Sequence, residues 1–265
     1  MELRLVRSLL FVPASNPRLI DKARGLDADM VILDLEDAVA EPDKPTARAA
    51  AVEACRAFAG RPTAIRVNAI GSAWHDEDLA AVAASGADFL VLPKAESGDA
   101  VLAAGTKAGK AVISMIETPR GVLAIDTIAG HSAALLAGTN DLAATLGLPP
   151  GAGRSGLVYA LQRLVLAARA AGIPTFDGVH AGLEDEEALA LEAREGRAFG
   201  FDGKSVIHPS QIAAVNATFA PAQAEIEAAL RLIAAAGDGA RRHEGHMIED
   251  LHVEQAKCLL AKAKR

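Results

Sequence analysis

The chain alternates short, continuous apolar runs with longer amphipathic segments, and this pair of segments occurs eight times along 265 residues. Runs such as residues 30–33 and 135–138 are too short to form helices and lack the alternating polar positions of a half-exposed strand. Strands of this kind are buried on both faces, as in a parallel sheet that helices cover. Eight strand–helix units therefore predict an α/β fold, a (β/α)8 TIM barrel. An open doubly wound sheet is the structural alternative, but no glycine-rich dinucleotide fingerprint opens a helix here.

The sequence also indicates where these units begin and end. We expect strands at residues 7–12, 30–33, 63–68, 88–94, 111–118, 135–138, 173–178 and 200–208. We expect helices at residues 17–24, 44–59, 75–85, 97–107, 119–128, 155–171 and 184–197, and one that begins near residue 209. Asn16 is a suitable N-cap for the first helix, and Pro17 suits its first position. A long loop is expected between Gly138 and the helix at residues 155–171.

The composition changes after residue 236. Residues 237–250 are rich in glycine and charge, and residues 253–265 have the pattern of one more amphipathic helix. We therefore expect a TIM-barrel catalytic domain at residues 1–236 and a C-terminal helical appendix, outside the barrel, at residues 237–265.

Composition argues against several kinds of partner. The net charge of −7 and the aromatic content of 3% do not fit a nucleic-acid-binding surface. No apolar run approaches the roughly 18 residues of a membrane span. The opening apolar run is only about seven residues long and lacks a small-residue cleavage site, so we do not expect a secretory signal. Cys55 and Cys258 lack metal-ligand spacing, which suggests reduced thiols in a cytoplasmic protein.

A TIM barrel carries its active site at the C-terminal ends of its strands, so polar residues just past the apolar runs should converge there. These residues are Asp34, Glu36, Asp37, Arg66, Asn68, Lys94, Glu117, Asp141 and Asp177. Glu117 and Asp141 follow consecutive strands, and two carboxylates without a paired His or Cys suit Mg²⁺ rather than zinc. Each acid alone could instead be a helix cap or a solvated loop residue.

The two cations of this acid-rich set have two interpretations each. The Arg66 guanidinium matches a substrate carboxylate bidentately, or it forms an ion pair with Glu36 or Asp37, and the two roles are compatible. Lys94 either forms a Schiff base, as in a class I aldolase, or balances the neighbouring acids. His208 is expected to be a structural or capping residue rather than a ligand.

Several strings of this sequence resemble those of one enzyme family. They run in order along nearly the whole chain: RSLLFVPASNP, VILDLEDAV, IRVN, LPKAE, ISMIETPRG, GTNDLA, GFDGKSVIHPSQI and EGHMIEDLHVEQAKCLL. They resemble the citrate lyase β-subunit family of the HpcH/HpaI aldolase superfamily, which includes citramalyl-CoA and malyl-CoA lyases. The resemblance implies a TIM barrel that uses Mg²⁺ to cleave or form a carbon–carbon bond between a thioester and a 2-oxo acid.

The resemblance also implies roles for individual residues. In the family, the residues that match Glu117 and Asp141 hold the metal, and the residue that matches Arg66 binds the substrate carboxylate. Glu36 would support the metal through water. Apart from the resemblance, Asp37 is the barrel carboxylate that we expect to act in acid–base chemistry if the C-terminal segment does not. The residues in contact with the 2-oxo acid would be Gly138, Thr139 and Asn140.

The reaction implied is of the retro-Claisen type. It would convert a 3-hydroxy-3-carboxy acyl thioester, such as citramalyl-CoA or citryl-CoA, into an acyl thioester and pyruvate or oxaloacetate. The acyl carrier could be CoA or an acyl-carrier protein. Two rival functions stay open: a metal-dependent aldolase that acts on free hydroxy-oxo acids, and a catalytically silent barrel that serves as a complex subunit.

The C-terminal appendix departs from the family at one position. Many members are trimers in which this segment reaches a neighbouring active site and supplies the Asp of Gly-Lys-Met-Ile-Asp for acid–base chemistry. Here residues 245–250 read Gly-His-Met-Ile-Glu-Asp, so Glu249 stands at the matching position. We expect a homotrimer in which Glu249 transfers protons across the interface; the alternative is a segment that only caps the final helix.

Overall fold

A computed structural model describes residues 3–58, 60–235, 241–243 and 246–263. Eight parallel strands close into a barrel in their sequence order. The strands are β1 (Ser8–Pro13), β2 (Met30–Asp34), β3 (Thr63–Arg66), β4 (Phe89–Leu92), β5 (Ala111–Ile116), β6 (Ala134–Ala137), β7 (Thr175–Asp177) and β8 (Gly203–Val206). The barrel closes where Ser8 pairs with Lys204 and Leu10 pairs with Val206. The predicted (β/α)8 TIM barrel is therefore confirmed.

Both faces of the barrel sheet are buried, which explains why the apolar runs are continuous. Leu9, Ile32 and Phe176 belong to a cluster built from strand residues inside the barrel. Leu10 and Leu33, their neighbours along the strands, pack in a second cluster between the sheet and the surrounding helices. Full burial of such a side chain stabilises a fold by about 1.5–3 kcal/mol.

The strands alternate with helices that cover the barrel. The helices of this part are α1 (Pro17–Arg24), α2 (Lys44–Cys55), α3 (His75–Ala84), α4 (Gly98–Ala108), α5 (Pro119–Leu123), α6 (Ile125–Ala129), α7 (Thr139–Thr145), α8 (Val158–Ala170), α9 (Glu186–Phe199) and α10 (Ser210–Phe219). The predicted cap of α1 is confirmed, since the Asn16 side chain accepts the backbone N–H groups of Arg18 and Leu19.

Three helix predictions differ from the structure. Helix α2 ends at Cys55 and continues only as a 3-10 turn, Arg56–Phe58, whereas the predicted end at residue 59 lies outside the described residues. The segment predicted as one helix at residues 119–128 forms two, because the backbone leaves helical geometry at Ala124. The predicted long loop after Gly138 begins with helix α7, which is too short to show an apolar period in the sequence.

Beyond the barrel, the chain continues with α11 (Gln223–Ala235), which the sequence did not indicate, and an antiparallel strand pair, β9 (Arg241–His243) and β10 (His246–Ile248). The last helix, α12 (Asp250–Ala263), confirms the predicted terminal helix and packs against α11. The division at residues 236 and 237 lies outside the described residues and stays a prediction. None of the helices in the described ranges is long and apolar enough to cross a membrane.

Candidate active site at the barrel mouth

A cavity of about 400 Å³ opens at the carboxyl ends of the strands, which we call the barrel mouth. Its wall contains seven of the residues that the sequence selected: Asp34, Asp37, Arg66, Gly138, Thr139, Asn140 and Asp141. Two more, Glu36 and Glu117, are buried directly behind the wall, where Glu36 contacts Arg66 and Glu117 lies against Gly138. The structure thus brings these nine residues together at one place.

Glu117 follows β5, and its carboxylate is almost fully buried. Its Oε1 accepts the backbone N–H of Lys94 at 2.7 Å, whereas Oε2 has no hydrogen-bond partner among the described residues. Burial raises the pKa of Glu117 to about 8, and the charges of Glu36 and Asp141 act in the same direction. A buried carboxylate oxygen without a partner, close to two further acids, is a position that a cation can fill.

The turn from β6 into α7 brings the second metal candidate to the mouth. Asp141 lies in the first turn of α7, and Gly138 precedes that helix. A side chain at Gly138 is sterically excluded, because a Cβ there would overlap the side chain of Glu117. Thr139 is buried and Asn140 is exposed, and both residues line the cavity.

Arg66 ends β3 and is buried among acids. Its Nε and Nη2 donate to the two carboxylate oxygens of Asp34 at 2.6 and 2.7 Å. Its Nη1 is 2.9 Å from Glu36 and 3.2 Å from Asp37, and the ring of Phe11 lies 5.0 Å from the guanidinium carbon. The predicted ion pair is therefore present, but its bidentate partner is Asp34, which binds the side edge of the guanidinium formed by Nε and Nη2. The end edge, formed by Nη1 and Nη2, faces Glu36 and Asp37.

The loop between β2 and α2 carries Glu36 and Asp37. Asp34 shapes this loop, because its carboxylate also accepts the backbone N–H groups of Glu36 and Ala38 at 3.0 and 3.1 Å. Burial raises the pKa of Glu36 to about 7, although the positive charges of Arg66 and Lys94 oppose the rise. Asp37, by contrast, has an exposed side chain.

The buried side chain of Lys44 also holds the loop that carries Glu36. The Nζ of Lys44 donates to the carbonyl oxygens of Leu35 and Glu36 at 2.9 and 3.0 Å and to Oδ1 of Asn68 at 2.5 Å. Asn68 in turn donates to Oδ2 of Asp78 at 2.7 Å. Asn68, which the sequence placed in the mouth, therefore supports the Glu36 loop and is absent from the cavity wall.

Asp177 is a second predicted mouth residue that the structure places elsewhere. Its carboxylate is fully buried and binds Nη2 of Arg154 at 2.6 Å and Nζ of Lys204 at 3.2 Å. Lys204 also donates to Glu192, whose other oxygen lies 2.9 Å from Nδ1 of His180. Sequence reasoning missed this network, because nothing local marks a lysine inside an apolar strand as the partner of an acid on the adjacent strand.

Glu249 does not line the cavity of its own chain. Its backbone N–H donates to Nδ1 of His252 at 3.0 Å at the start of α12. The far end of α12 contacts the opposite end of the barrel, where Nζ of Lys262 is 3.2 Å from Asp202, the residue before β8. Proton transfer by Glu249 across a subunit interface stays a prediction.

The mouth residues fit a magnesium ion. In the part of the chain that the structure describes, no three His, Cys, Asp or Glu side chains group as metal ligands. Two carboxylates are nevertheless sufficient for Mg²⁺, which usually keeps several waters and takes substrate oxygens at its other positions. Oε2 of Glu117 has no partner among the described residues, and burial together with the charges of Glu36 and Asp141 raises the pKa of this carboxyl to about 8, so a bound cation would stabilise its charged form.

Comparison with known proteins assigns the chain to a family. Residues 7–209 match the model of the HpcH/HpaI aldolase/citrate lyase family, and residues 157–265 match that of the C-C bond lyases of the TIM-barrel fold. The chain belongs to the HpcH/HpaI aldolase/citrate lyase family. The family resemblance seen in the sequence is thereby confirmed, as is the assignment to the carbon–carbon lyases.

Relatives of the chain carry more than one activity in their names. It is 39% identical to a (3S)-malyl-CoA thioesterase of Cereibacter sphaeroides over 97% of this chain and 94% of that protein. It is 34% identical to the citrate lyase subunit beta of Haemophilus influenzae over 99% of this chain and 98% of that protein. A crystal structure of CitE from Mycobacterium tuberculosis with magnesium, acetoacetate and coenzyme A is 36% identical, has a TM-score of 0.86, and covers 99% of this chain and 100% of that one.

Proposed function

We propose that this protein is an Mg²⁺-dependent lyase that cleaves a 3-hydroxy-3-carboxy acyl thioester into an acyl thioester and a 2-oxo acid. The observation that carries the proposal is the carboxylate of Glu117, which is buried near Asp141 and Arg66 and has one oxygen without a partner in the described part of the chain. The similar CitE structure, which contains magnesium and coenzyme A, supports both the metal and the thioester. Malyl-CoA, citramalyl-CoA and citryl-CoA share the required substrate chemistry, and the acyl carrier is CoA in this proposal.

Glu117 and Asp141 would hold the ion. Bound there, Mg²⁺ would supply a Lewis acid that lowers the pKa of the substrate hydroxyl and polarises the carbonyl group formed from it. Glu36 would contribute through a water molecule, since its carboxylate stands behind Arg66 rather than on the cavity wall. The metal site as a whole is thus assembled from strand ends and from the first turn of α7.

Arg66 would bind the carboxylate of the 2-oxo acid through its end edge, because Asp34 already occupies Nε and one hydrogen of Nη2. The backbone of Gly138 and the side chains of Thr139 and Asn140 would line the opposite side of that acid. This arrangement orients the scissile bond without any covalent link to the protein.

Proton transfer needs groups that can take up and release protons near neutral pH. Glu36 has a pKa of about 7, and the exposed Asp37 lies 3.2 Å from Arg66. Glu249 would complete the set from a neighbouring subunit in a homotrimer, because it lies outside the cavity of its own chain. A cytoplasmic location, expected from two unpaired cysteines, is part of the same proposal.

A second candidate is hydrolysis of the thioester bond. It is favoured by the identity of 39% to proteins named (3S)-malyl-CoA thioesterase over nearly the whole chain. In that reaction water attacks the thioester carbonyl, CoA leaves as a free thiol, and the hydroxy acid keeps its carbon skeleton. The two reactions therefore differ in every product.

The test is a panel of malyl-CoA, citramalyl-CoA and citryl-CoA, each with and without Mg²⁺, with the free hydroxy acids as controls. Formation of a 2-oxo acid is followed with phenylhydrazine, and free thiol is followed with a thiol reagent. Oxo acid without thiol supports the lyase, whereas thiol without oxo acid supports the hydrolase. Turnover of the free hydroxy acids alone would instead indicate an aldolase without a thioester requirement.

A further inference from the structure

Lys94 has a backbone conformation that disfavours any side chain. Its φ is +47°, and it is the one non-glycine residue with positive φ among residues 3–58, 60–235, 241–243 and 246–263. Comparable turns of the chain use glycine, as at Gly109 and Gly200, because a Cβ crowds the neighbouring carbonyl in this region. We therefore ask whether the side chain of Lys94 has a function that explains a lysine at this position.

The backbone of Lys94 already has a role that glycine would serve equally well. The turn after β4 directs its N–H to Oε1 of Glu117 at 2.7 Å. The side chain is exposed and makes no hydrogen bond or ion pair with the described part of the chain. Neither packing nor the contact with Glu117 therefore accounts for a lysine here.

The ammonium group of Lys94 differs from the Arg66 guanidinium in how the neighbouring acids neutralise it. The positive charges of Arg66 and Lys94 both lower the pKa of Glu36, and that of Arg66 also lowers the pKa of Glu117. Arg66 is neutralised by Asp34 and by the other acids within 2.6–3.2 Å. Lys94 therefore carries a positive charge that acts on Glu36 and that no described carboxylate pairs directly.

We propose that Lys94 is a catalytic residue whose ammonium group stabilises the negative charge that develops on the thioester oxygen of the substrate. The inference rests on the proposed lyase function. In that cleavage a base removes the hydroxyl proton, the bond between C2 and C3 breaks, and its electron pair moves into the thioester to form an enolate. C3 becomes the carbonyl carbon of the 2-oxo acid, and the enolate then takes a proton at C2 to give the acyl thioester.

This electron movement places charge on two different oxygens in turn. Glu117 and Asp141, which would hold Mg²⁺, would serve the charge on the hydroxyl oxygen, whereas charge on the thioester oxygen arises two carbon atoms away. A cation that is not already neutralised is the group best suited to that second oxygen. The strained turn holds the backbone of Lys94 against Glu117, so the side chain starts from a fixed point next to an acid that would hold the metal.

The test compares Lys94→Gly, Lys94→Met and Lys94→Arg with the wild type. The glycine variant keeps the N–H for Glu117 and removes the strain and the charge, whereas the methionine variant keeps the strain and side-chain length. Lys22→Met, on the exposed face of α1, is the matched control for loss of a surface lysine. Three readouts are used: kcat and KM for thioester cleavage, exchange of the C2 hydrogens of acetyl-CoA with D2O, and the melting temperature.

We expect Lys94→Gly and Lys94→Met to lower kcat by roughly 100-fold or more, as loss of a single oxyanion donor does in other enzymes. KM and the affinity for Mg²⁺ should change little, and C2 exchange should fall in parallel with kcat. Lys94→Gly should melt at or above the wild-type temperature, and added ethylamine or propylamine should restore part of its kcat. Lys94→Arg should retain more activity than Lys94→Met.

Wild-type kcat and exchange in Lys94→Gly would overturn the assignment. So would a change confined to KM that disappears with phosphate-free N-acetylcysteamine thioesters, since Lys94 would then bind the phosphates of CoA. An adduct trapped by borohydride in the presence of pyruvate would overturn it in favour of a Schiff base. If the wild type exchanges C2 hydrogens in a Lys94-dependent manner but cleaves no thioester, the proposed cleavage fails while the role of Lys94 stands.

Discussion

The backbone of Gly138 lies directly against the side chain of Glu117: a Cβ built on Gly138 would be 2.5 Å from Oε2 of Glu117 and would overlap its Cβ. Gly138→Ala must therefore displace the Glu117 carboxylate, whose Oε1 is fixed by Lys94. We expect the affinity for Mg²⁺ to fall at least about tenfold, equivalent to about 1.4 kcal/mol, and kcat to fall with it. Isothermal titration with Mg²⁺ and steady-state kinetics measure the two effects.

The matched control for this variant is Gly130→Ala, at the end of α6. An added Cβ at Gly130 meets its nearest neighbour, the carbonyl oxygen of Thr127, at an ordinary 3.6 Å. Metal affinity in Gly130→Ala should equal that of the wild type. If Gly138→Ala also binds Mg²⁺ normally, Glu117 does not contribute its Oε2 to the ion.

Replacing Glu117 by Gln should separate metal binding from folding. The substitution keeps the shape of the side chain but removes a buried carboxylate with one unpartnered oxygen. We expect no Mg²⁺ binding by titration calorimetry, no lyase turnover, and an unchanged circular dichroism spectrum. Metal-dependent turnover in Glu117→Gln would remove Glu117 from the metal site and leave Asp141→Asn as the variant to compare.

The stability of the metal-free protein should fall as the pH rises. Burial raises the pKa of Glu117 from 4.5 to about 8, so between these values the folded chain keeps a proton that the unfolded chain has lost. Stabilisation of the neutral carboxyl is therefore complete below pH 4.5 and is lost progressively up to about pH 8, at about 1.4 kcal/mol per pKa unit. Thermal unfolding in EDTA from pH 5 to 8 measures the slope.

Glu117→Gln should flatten this slope, because the amide does not titrate. Mg²⁺ should have the same effect in the wild type, since the ion replaces the proton and should release it to the buffer on binding. Calorimetry in two buffers of different ionisation enthalpy detects that proton. Equal slopes for the wild type and Glu117→Gln in EDTA would show that the carboxyl has an ordinary pKa.

Arg66→Lys keeps one positive charge but loses the planar fork. Asp34 would lose one of two hydrogen bonds at 2.6–2.7 Å, and the end edge offered to the 2-oxo acid would vanish. We expect the affinity for pyruvate or oxaloacetate to fall at least about tenfold, together with a loss of about 1.5–3 kcal/mol of unfolding free energy from one lost hydrogen bond between charged groups. Arg120→Lys, an exposed arginine near the mouth, is the control. Unchanged oxo-acid affinity in Arg66→Lys would reject the binding role.

The sequence was most informative where the chemistry is local. Continuous apolar runs predicted all eight strands, and the position of Glu117, Asp141 and Arg66 just past three of those strands placed them at one mouth. Asn16 was likewise predicted correctly as a capping residue, since its partners lie within three positions along the chain. The local pattern alone sufficed for each of these.

What the sequence could not supply are pairings between distant segments. Asp177 follows its strand in the same way as Glu117 does, yet it points to Lys204 and Arg154 and never reaches the cavity wall. The bidentate grip of Asp34 on Arg66 joins residues 32 positions apart and was predicted only as an ion pair with Glu36 or Asp37. Both pairings depend on the register between adjacent strands, β2 with β3 and β7 with β8, and the sequence of one segment does not determine that register.

The position of Glu249 predicts an active site that is completed by two subunits. It lies at the start of α12, outside the cavity of its own chain, while the far end of that helix contacts Asp202 at the opposite end of the barrel. If a neighbouring subunit supplies it, a Glu249→Ala chain and a Glu117→Ala chain are each inactive but complement one another. After dissociation and mixing in equal amounts, about a quarter of the sites should pair an intact barrel with an intact Glu249. The measurement is lyase activity before and after mixing.

The control for complementation is a mixture of Glu117→Ala with a Glu117→Ala, Glu249→Ala double variant, in which no intact barrel exists and no activity should appear. Size-exclusion chromatography of each variant shows whether the oligomer survives the substitution. Activity that is lost in Glu249→Ala and not restored by mixing would mean that the residue acts within its own chain or only stabilises α12. Full activity in Glu249→Ala would mean that Asp250 or Asp37 transfers the proton instead. Asp37 is 3.2 Å from Arg66 at the mouth. If Asp37 is the proton-transfer residue, Asp37→Asn should abolish turnover.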